Sequence, residues 1–431
     1  MKVLLVGAGA REHIIAEQLS KSAALYSIMP KKHPGIAALS EKFLIADPTD
    51  KETVGQWCIK EGIDLAFVSP DALLAAGVTD IIADAGIAVA SPLREAARIE
   101  WDKAYARNLM LDNSIPGLPE FEVVDNEEDA RSFIKDACEV AVKPIGLTGG
   151  KGVRIMGEHF ASAEETMTYV KGLIEKDGSV LLEERLDGEE ITVQSFSDGA
   201  GISLMPPVQD HKRAFVGDRG PNTGGMGSYS TGKLLPFMEQ KDLDSAKEIM
   251  EKTVAAMKAG GNQFKGVLYG QFMLTSSGLR VIEFNARFGD PEAMNVLTLL
   301  RTQLADIFQS IHDGKLVQPA FSDQSTVVKY LVPEGYPEAG KKDQKIGINE
   351  KGVWDCGSKL YFGSVYEKGG EIFTTASRTA ALVARADKLG TAEERTECAA
   401  RHVSGPVWHR PDIGTSALVK KRMEHVRRLK S

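Results

Sequence analysis

The sequence predicts a multidomain protein of the α/β and α+β classes, with an N-terminal parallel-sheet domain, a central domain and a small β-rich C-terminal domain. The chain has 431 residues, which exceeds the size of one ordinary hydrophobic core. Short apolar runs alternate with helical patterns before residue 100, whereas short β-like runs dominate after residue 325. We therefore expect three domains, over residues 1–100, 101–322 and 323–431.

The composition is that of an ordinary globular protein, with 43% hydrophobic residues, 26% charged residues and a formal net charge of -8. This charge argues against a protein that binds nucleic acid through its overall field, and no run reaches the ~20 apolar residues of a membrane helix. We therefore expect neither nucleic acid nor a membrane as a partner. The short apolar run before Gly7 lacks the length and cleavage pattern of a signal peptide.

The cysteines are scattered along the chain, at Cys58, Cys138, Cys356 and Cys398. No two of them form a Cys-x-x-Cys pair. We therefore predict neither a zinc site nor a disulfide framework, and we expect a cytoplasmic location, in a reducing environment.

The first predicted strand, at residues 3–6, runs through a glycine turn at 7–13 into a helix at 14–19. The start of a helix offers unpaired amides and a partial positive charge, which suit a phosphate. Glu12 stands where a dinucleotide fingerprint has its third glycine, so the pattern supports an NAD site only weakly. The alternative is that the two glycines merely allow the helix to pack closely on the strand.

Two further strands, at residues 65–68 and 87–90, are separated by a helical pattern around 73–85. Alternating strands and helices predict a parallel sheet, whose ligands bind at the carboxyl ends of the strands. Residues 69–71 lie at such an end. A turn with a helix cap explains these residues equally well.

Two lysines flank a glycine-rich loop in the central domain. A predicted strand ends at Lys143, and the loop at residues 146–153 contains Lys151. Glycines let the backbone approach polyphosphate and let the loop close as a lid, and lysines neutralise phosphate charge. A β-hairpin turn would explain the glycines but not a lysine on each side. Gly152 departs from the Gly-Lys-Ser/Thr ending of a Walker P-loop, which argues against a P-loop ATPase.

Two stretches rich in polar residues follow this loop. Residues 180–193 predict a strand, an acidic turn and a second strand. Backbone groups near 183–186 suit an adenine edge, and Glu190 suits ribose hydroxyls. By itself, such an acidic turn is more often a solvated corner. Residues 209–227, called the polar segment below, mix His, Lys, Arg, Asp and Asn, unlike a linker. We expect this segment to bind small substrates, with Asp218 near an amine and its glycine amides near a phosphate or carboxylate.

The densest group of functional side chains lies at residues 281–292. A hairpin through residues 275–278 leads into this strand, where Glu283, Asn285 and Arg287 alternate with apolar residues and therefore share one face. Two oxygen ligands beside a guanidinium suit magnesium and a phosphoryl group in transfer. The alternative is a solvated edge strand, but residues 289–291 end the strand and direct another carboxylate to the same place.

Together these motifs resemble the phosphoribosylamine-glycine ligase family of the ATP-grasp superfamily, over nearly the whole chain. The most specific motifs are Gln-Asp-His-Lys-Arg at 209–213 with Gly-Pro-Asn-Thr-Gly-Gly-Met-Gly at 220–227, and Glu-Phe-Asn-Ala-Arg-Phe-Gly-Asp-Pro-Glu at 283–292. Residues 143–153 and Ala293-Met294 depart from the common family wording and resemble its archaeal branch.

The resemblance implies a ligase that joins glycine to 5-phosphoribosylamine through glycyl phosphate, releasing glycinamide ribonucleotide, ADP and phosphate in purine biosynthesis. It implies a pre-ATP-grasp domain at the N-terminus and a two-lobed ATP-grasp domain with a mobile lid at about residues 121–190. ATP would be the co-substrate, with Mg²⁺ or Mn²⁺. We expect a monomer or a weak homodimer.

The resemblance also assigns residue roles. Metal ligands would be Glu283 and Asn285, and catalytic roles would fall to Arg287, Lys151, Asp218 and Asp290. ATP would contact Lys103, Lys143, Lys151, Gly149, Gly150, Glu183, Glu184, Leu186 and Glu190. The substrates would contact Gly9, Arg11, Glu12, His13, Pro70, Asp71, Lys212, Asp218, Asn222, Gly224, Gly225, Arg287, Gly289 and Asp290.

Two alternatives remain at this point. Another ATP-grasp ligase, such as a biotin carboxylase, would share the architecture, but the polar segment argues against it. A catalytically silent nucleotide-binding protein would share the fold, but the retained lysines and strand residues argue against that alternative.

Overall fold

The computed structural model describes residues 1–137, 139–148 and 152–431. Its N-terminal part is a five-stranded parallel sheet in the order β3-β2-β1-β4-β5. The elements of this part are β1 (Lys2–Val6), α1 (Ala10–Leu19), β2 (Ala24–Met29), α2 (Pro34–Leu39), β3 (Lys42–Ile45), α3 (Lys51–Glu61), β4 (Leu65–Val68), α4 (Asp71–Ala75), α5 (Val78–Asp84) and β5 (Ala88–Val89).

The central strands of this sheet are apolar because they are buried on both faces, as parallel strands usually are. The predicted helix around residues 73–85 is two helices, α4 and α5, which separate at Gly77 in a left-handed conformation. The first glycine turn leaves no room for a side chain, because a Cβ at Gly7 would lie 2.9 Å from the ring of Pro70. The ends of β1 and β4 therefore lie side by side.

The described residues of the central part form two four-stranded antiparallel sheets, a separate two-stranded hairpin and the helices around them. One of the four-stranded sheets has the order β6-β9-β7-β8, and the other has the order β11-β10-β16-β17. The elements are α6 (Arg94–Trp101), α7 (Lys103–Asp112), β6 (Phe121–Val124), α8 (Glu127–Ala137), β7 (Val140–Pro144), β8 (Arg154–Ile155), α9 (Ala163–Asp177), β9 (Val180–Glu184), β10 (Glu189–Asp198), β11 (Ile202–Leu204), β12 (Gln209–Asp210), β13 (Arg213–Phe215), β14 (Arg219–Asn222), β15 (Gly227–Ser230), α10 (Gln240–Ala259), β16 (Lys265–Thr275), β17 (Gly278–Asn285), α11 (Glu292–Leu299) and α12 (Leu304–Asp313).

The C-terminal part is built on a third antiparallel sheet, β12-β15-β18-β23-β20, and a smaller one, β21-β22-β19-β24. Its elements are β18 (Ser325–Pro333), β19 (Lys345–Ile348), α13 (Glu350–Asp355), β20 (Ser358–Phe362), β21 (Val365–Lys368), β22 (Glu371–Thr374), β23 (Ala380–Ala386), α14 (Leu389–Ala400), β24 (Val403–Ser404), β25 (Val407–Trp408) and α15 (Ser416–Leu429). The predicted fold class is confirmed. Within the described ranges, no helix combines the length and the apolar character needed to cross a membrane.

The polar segment is more regular than its composition suggests. It forms four short strands, and two of them extend the C-terminal sheet through the pairing of β15 with β18. The pairing partner lies about 100 residues further along the chain, so the local sequence carries no sign of it. Residues of the central part are thereby fastened to the C-terminal part.

The prediction of no disulfide was wrong. Cys356, at the end of α13, is bonded to Cys398 in the last turn of α14, with a Cα–Cα distance of 5.9 Å. The two residues are 42 positions apart, so only the packing of the two helices brings them together. Cys58 is a buried free thiol, and Cys138 lies outside the described residues.

Candidate active site

The site is organised around the end of β17. Phe284, Ala286 and Phe288 are at most 2% exposed and pack in the core, which confirms the predicted alternation. A β-bulge interrupts the pairing of β17 with β16 at residue 282, because Gln271 pairs with Glu283 while the next residue, Phe272, pairs with Val281. The bulge leaves the carbonyl groups of residues 281 and 282 free to accept hydrogen bonds from side chains.

Arg287 is held in place by groups on three elements. Its Nη2 lies 2.9 Å from Oε1 of Glu100 and donates to Oδ1 of Asn285 at 3.0 Å. The guanidinium also lies 5.8 Å from the ring centre of Tyr269. Burial lowers the pKa of Arg287, but the charges of Glu100 and Asp71 raise it above its usual range. The arginine is therefore a permanent cation in a fixed orientation.

Glu100 was not predicted from the sequence. Its side chain is 4% exposed, and Oε2 accepts a hydrogen bond from the amide of Ala286 at 2.7 Å. Burial raises the pKa of this carboxyl, while Arg287 opposes that shift. The available signal was an acid directly after the buried Ile99 on an amphipathic helix.

Glu283 is kept ionised by three lysines. Burial opposes the ionisation of this carboxyl, but the charges of Lys212, Lys103 and Lys143 outweigh it and lower the pKa. Asn285 donates to Oε1 of Glu283 at 3.4 Å. The two predicted metal ligands therefore lie beside each other and present carboxylate and amide oxygens.

Lys143 and Arg107 both donate hydrogen bonds to the bulge of β17, and both form ion pairs with Glu183. Lys143 Nζ lies 2.6 Å from Oε2 of Glu183 and donates to the carbonyl of Ile282 at 3.1 Å. Arg107 Nε lies 2.7 Å from the other oxygen of Glu183, and its Nη2 donates to Ile282 O at 2.7 Å. Burial raises the pKa of Glu183, but these two cations lower it further than burial raises it. Arg107 escaped prediction because no local motif marks it.

Lys103 begins α7 and reaches the start of the glycine-rich loop. Its Nζ donates to Gly146 O at 2.8 Å. Burial lowers the pKa of this lysine, and the nearby charge of Glu283 opposes that shift. Three predicted ATP contacts in the same loop, Gly149, Gly150 and Lys151, lie outside the described residues.

The acidic turn that was predicted to meet the nucleoside follows β9. Glu184 accepts a hydrogen bond from the amide of Glu120 at 3.0 Å, and Leu186 is half-buried in the turn. Glu190 lies at the start of β10, where Oε2 is 3.6 Å from Lys212 Nζ. Lys212 in turn donates to Gln271 at 2.8 Å. This chain of contacts joins the turn to the polar segment and to β16.

The N-terminal sheet contributes the opposite side of the site. Arg11 Nη1 donates to Phe288 O at 3.1 Å, and Arg287 Nη1 donates to the same carbonyl at 3.2 Å. Arg11 also pairs with Glu12 at 2.7 Å, and Glu12 accepts from Ser69 Oγ at 2.6 Å. Two guanidinium groups therefore lie next to each other at the junction of the first sheet and β17.

The remaining predicted residues of the N-terminal part have different surroundings. Gly9 precedes α1, and Pro70 and Asp71 precede and begin α4. His13 instead lies against the C-terminal part: Nδ1 accepts from the amide of Phe362 at 3.0 Å and the two rings stack at 5.9 Å. Burial and the neighbouring His33 lower the pKa of His13 to about 3.

Asp290 is tied to the C-terminal part by Arg378, which no sequence motif indicated. Arg378 Nη2 lies 2.7 Å from Oδ2 of Asp290, and Nη1 donates to Gly225 O at 3.0 Å and also to Gly224 O. The guanidinium lies 4.4 Å from the ring centre of Tyr330, whose hydroxyl bonds to Asp290. Gly224, Gly225 and Asp290 are thereby held as one group.

Gly289 and Asn222 complete the predicted set. The amide of Gly289 donates to Gln194 Oε1 at 2.8 Å, and Asn222 ends β14 opposite Arg213. Glu292, the first residue of α11, accepts from Tyr269 at 2.8 Å. Burial and the charge of Glu292 raise the pKa of Asp210.

Asp218 lies apart from β17, among arginines. Arg410 Nη1 is 3.1 Å from Oδ1 and Arg422 Nη2 is 2.6 Å from Oδ2. The backbone of Asp218 is left-handed, with φ 61°. The structure therefore joins Lys103, Lys143, Lys212 and Arg11 to the end of β17. Asp218 and His13 contact the C-terminal part, as do Asp290, Gly224 and Gly225 through Arg378.

The arrangement has two chemically distinct sides. On one side lie Glu283 and Asn285, with Lys103 and Lys143 close by. On the other side lie Arg11, Asp290 and the glycines of the polar segment, with Arg287 between the two sides. Fixed cations beside a carboxylate can bind a polyphosphate with a divalent ion and stabilise charge that develops on a phosphoryl group.

Models of three domains of phosphoribosylglycinamide synthetase match this chain. The N domain matches residues 1–100, the ATP-grasp (A) domain matches residues 101–293, and the C domain matches residues 326–416. The phosphoribosylamine–glycine ligase of Methanosarcina barkeri is 48% identical over 437 residues, which cover 100% of each chain. The ligase of the same name from Pyrococcus furiosus is 45% identical, over 100% of this chain and 98% of that protein.

Solved structures agree with these matches. The phosphoribosylamine–glycine ligase of Thermotoga maritima superimposes with a TM-score of 0.81 at 27% identity, over 96% of this chain and 100% of that chain. A biotin carboxylase domain from Hydrogenobacter thermophilus, solved with MgADP, superimposes with a TM-score of 0.74 at 16% identity, over 99% of this chain and 97% of that chain. The second likeness concerns the fold alone.

Proposed function

The chain belongs to the phosphoribosylglycinamide synthetase family, and from this premise we propose that it joins glycine to 5-phosphoribosylamine at the expense of ATP. The products are glycinamide ribonucleotide, ADP and phosphate, in purine biosynthesis. One observation carries the proposal: Arg287 donates from Nη2 to Asn285, beside Glu283, and from Nη1 to the carbonyl of Phe288, which also accepts from Arg11. A cation at this point meets the phosphoryl group as it passes from nucleotide to glycine.

The nucleotide side has charges that suit ATP. Lys103 and Lys143 face its phosphates in this proposal, with Lys151, Gly149 and Gly150 of the glycine-rich loop. The nucleoside binds at the end of β9, the turn after it and the start of β10, where Glu183, Glu184, Leu186 and Glu190 lie. In the structure Glu183 orients Lys143 through a 2.6 Å ion pair, which supports an indirect role for this acid.

The residues present fit a divalent ion. Glu283 supplies an ionised carboxylate and Asn285 an amide oxygen, and hard oxygen ligands of this kind suit Mg²⁺ or Mn²⁺. When bound, the ion would neutralise phosphate charge. Arg287 shares Asn285 Oδ1, so the orientation of the amide and of the guanidinium is coupled.

The substrate side suits two small molecules, one with a carboxylate and one with a phosphate. Glycine binds near Arg287, Gly289 and Asp290, and phosphoribosylamine binds near Gly9, Arg11, Glu12, His13, Pro70, Asp71, Lys212, Asn222, Gly224 and Gly225. A glycine carboxylate oxygen attacks the γ-phosphorus, and the bond to the bridging oxygen of ADP breaks. The amine then attacks the carbonyl carbon of glycyl phosphate, and phosphate leaves with loss of one amine proton. No covalent enzyme intermediate is needed, so orientation and fixed charge carry the catalysis.

The proposal extends to organisation. Residues 1–100, 101–322 and 323–431 act as three domains, and residues of about 121–190 close over ATP as a lid. We expect a cytoplasmic enzyme that is a monomer or a weak homodimer. Sedimentation at several protein concentrations tests the oligomeric state.

Phosphate release from MgATP tests the proposed reaction. The complete mixture contains glycine and freshly prepared phosphoribosylamine, and each is omitted in turn. We expect full release only when both are present, with glycinamide ribonucleotide formed in equal amount. Release that ignores glycine, or no release at all, contradicts the proposal.

A further inference from the structure

Two sulfur atoms and an imidazole meet where α13 and α14 pack together. Cys356 follows α13, Cys398 lies in the last turn of α14, and His402 comes four residues later. One ligand atom of each residue lies within 4.8 Å of the other two. The proposed ligase reaction uses none of these three residues.

The imidazole is oriented by packing rather than by hydrogen bonds. A Cβ at Gly352 would lie 2.2 Å from Nδ1 of His402, so the ring rests directly on the backbone of α13. The carbonyl of His402 accepts from the amide of Asn349 at 2.9 Å, which fixes the residue to the start of the same helix. Among the residues that the structure describes, no hydrogen bond engages the ring. Packing therefore positions the imidazole without a hydrogen bond that a metal ion would have to displace.

The surroundings combine a firm base with access from solvent. Val353 and Ala399 are buried in the apolar cluster beneath the two helices, and Cys356 packs against that cluster. All three donor residues are only half-buried. A small ion or reductant can therefore reach them without unfolding the domain.

Two thiolates and one imidazole form a ligand set that prefers a soft or borderline ion. Zinc binds cysteine sulfur and histidine nitrogen in tetrahedral sites, whereas magnesium and calcium prefer oxygen. Three protein ligands leave the fourth position for water. Sulfur in a disulfide carries no thiolate, so disulfide formation and metal binding exclude each other.

We propose that Cys356, Cys398 and His402 form a zinc site in the reduced protein, and that the disulfide is the metal-free state of the same residues. A dithiol reductant supplies two electrons and two protons, cleaves the bond between the two sulfurs and leaves as its own disulfide. Zn²⁺ then displaces one proton from each thiol. In either state the site ties α13 to α14.

Cobalt absorption tests the site without relying on ligase activity. The full chain is reduced, freed of reductant under anaerobic conditions and titrated with Co²⁺, whose bonds to thiolate give charge-transfer absorption in the near ultraviolet. We expect about one equivalent to bind, with loss of the absorption when Zn²⁺ is added. The oxygen ligands of the active site cannot give this signal.

Variants locate the signal. Cys356→Ser and Cys398→Ser should abolish the absorption, and His402→Asn should weaken Co²⁺ binding at least ~10-fold while still allowing the disulfide to form. Cys58→Ser is the matched control, because this thiol lies in the N-terminal sheet domain, and it should bind as the unaltered protein does. No absorption in the reduced protein, equal absorption in the disulfide form, or undiminished binding by His402→Asn would overturn the proposal.

Discussion

Arg422 of α15 donates from Nη2 to Oδ2 of Asp218 across 2.6 Å, and this ion pair fastens the last helix to the polar segment. The same arginine lies 3.1 Å from Oε2 of Glu189, at the start of β10. Burial raises the pKa of Asp218, but Arg422, His211 and Arg410 lower it below its usual range. The carboxylate of Asp218 is therefore already committed to two guanidinium groups.

This pair predicts that Asp218 acts on the substrates by holding the polar segment in place. Asp218→Asn should cost about 2–3 kcal/mol of stability, measured as a lower melting temperature, because a charged hydrogen bond is lost. Asp218→Asn should also raise the KM for phosphoribosylamine. Arg422→Gln, which removes the same ion pair, should raise this KM to a similar extent. Lys420→Gln, at an exposed position of the same helix, serves as the control. If only Asp218→Asn raises KM, Asp218 contacts the amine directly.

Arg378 and Asp290 should behave as one unit. Arg378→Ala and Asp290→Asn each break the 2.7 Å ion pair and should each lower kcat/KM for phosphoribosylamine. The double variant should fall short of the sum of the two effects by about 1–2 kcal/mol, because both changes remove the same contact. Arg385→Ala, an exposed arginine of β23, should have no effect. Additive losses would show that the two residues act independently.

Arg287 should matter for turnover more than for binding. Arg287→Ala removes a fixed cation aimed at developing charge, so we expect kcat to fall about 100-fold or more with a smaller change in the KM for ATP. Arg280→Ala on the same strand removes a hydrogen bond to Leu118 O outside the site and should leave kcat near that of the unaltered chain. Turnover by Arg287→Ala near the unaltered rate would refute the assigned role.

Glu283 should set the requirement for the divalent ion. Glu283→Gln keeps the shape of the side chain but removes the charge, so the Mg²⁺ concentration for half-maximal activity should rise at least ~10-fold. Glu251→Gln, on the exposed face of α10, is the control of equal charge change. Rates are measured against free Mg²⁺ at saturating ATP. An unchanged Mg²⁺ requirement would remove Glu283 from the metal site.

Because His13 is buried as a neutral imidazole, we predict that the folded chain loses stability in mild acid. Its pKa is about 3 in the folded chain and 6.5 in the reference state, so the unfolded chain binds the extra proton between these values. The stability that neutral His13 contributes is complete above pH 6.5 and falls by roughly 1.4 kcal/mol per pH unit below it. His13→Gln should therefore lose less stability than the unaltered chain when urea unfolding is compared at neutral pH and near pH 5. Equal losses would contradict a buried neutral imidazole.

Patterns within a short stretch explain what could be predicted. The alternation at 283–288 placed Glu283, Asn285 and Arg287 on one face, and strand geometry makes that inference local. The hairpin through residues 275–278 and the parallel sheet before residue 100 follow from similar signals. Glu100 and Arg107 were not predicted, because their contacts with the site result from helices packing on β17.

The sequence by itself determined the fold class, the strand that organises the site and, by resemblance, the family. Only the tertiary structure decided which partners the charged residues have: Arg378 binds Asp290, Arg422 binds Asp218, and Cys356 joins Cys398. These partners are 88, 204 and 42 positions apart in the chain. Periodicity reports the face on which a side chain lies, but ion pairs and disulfides depend on distances that exist only after the domains have packed together.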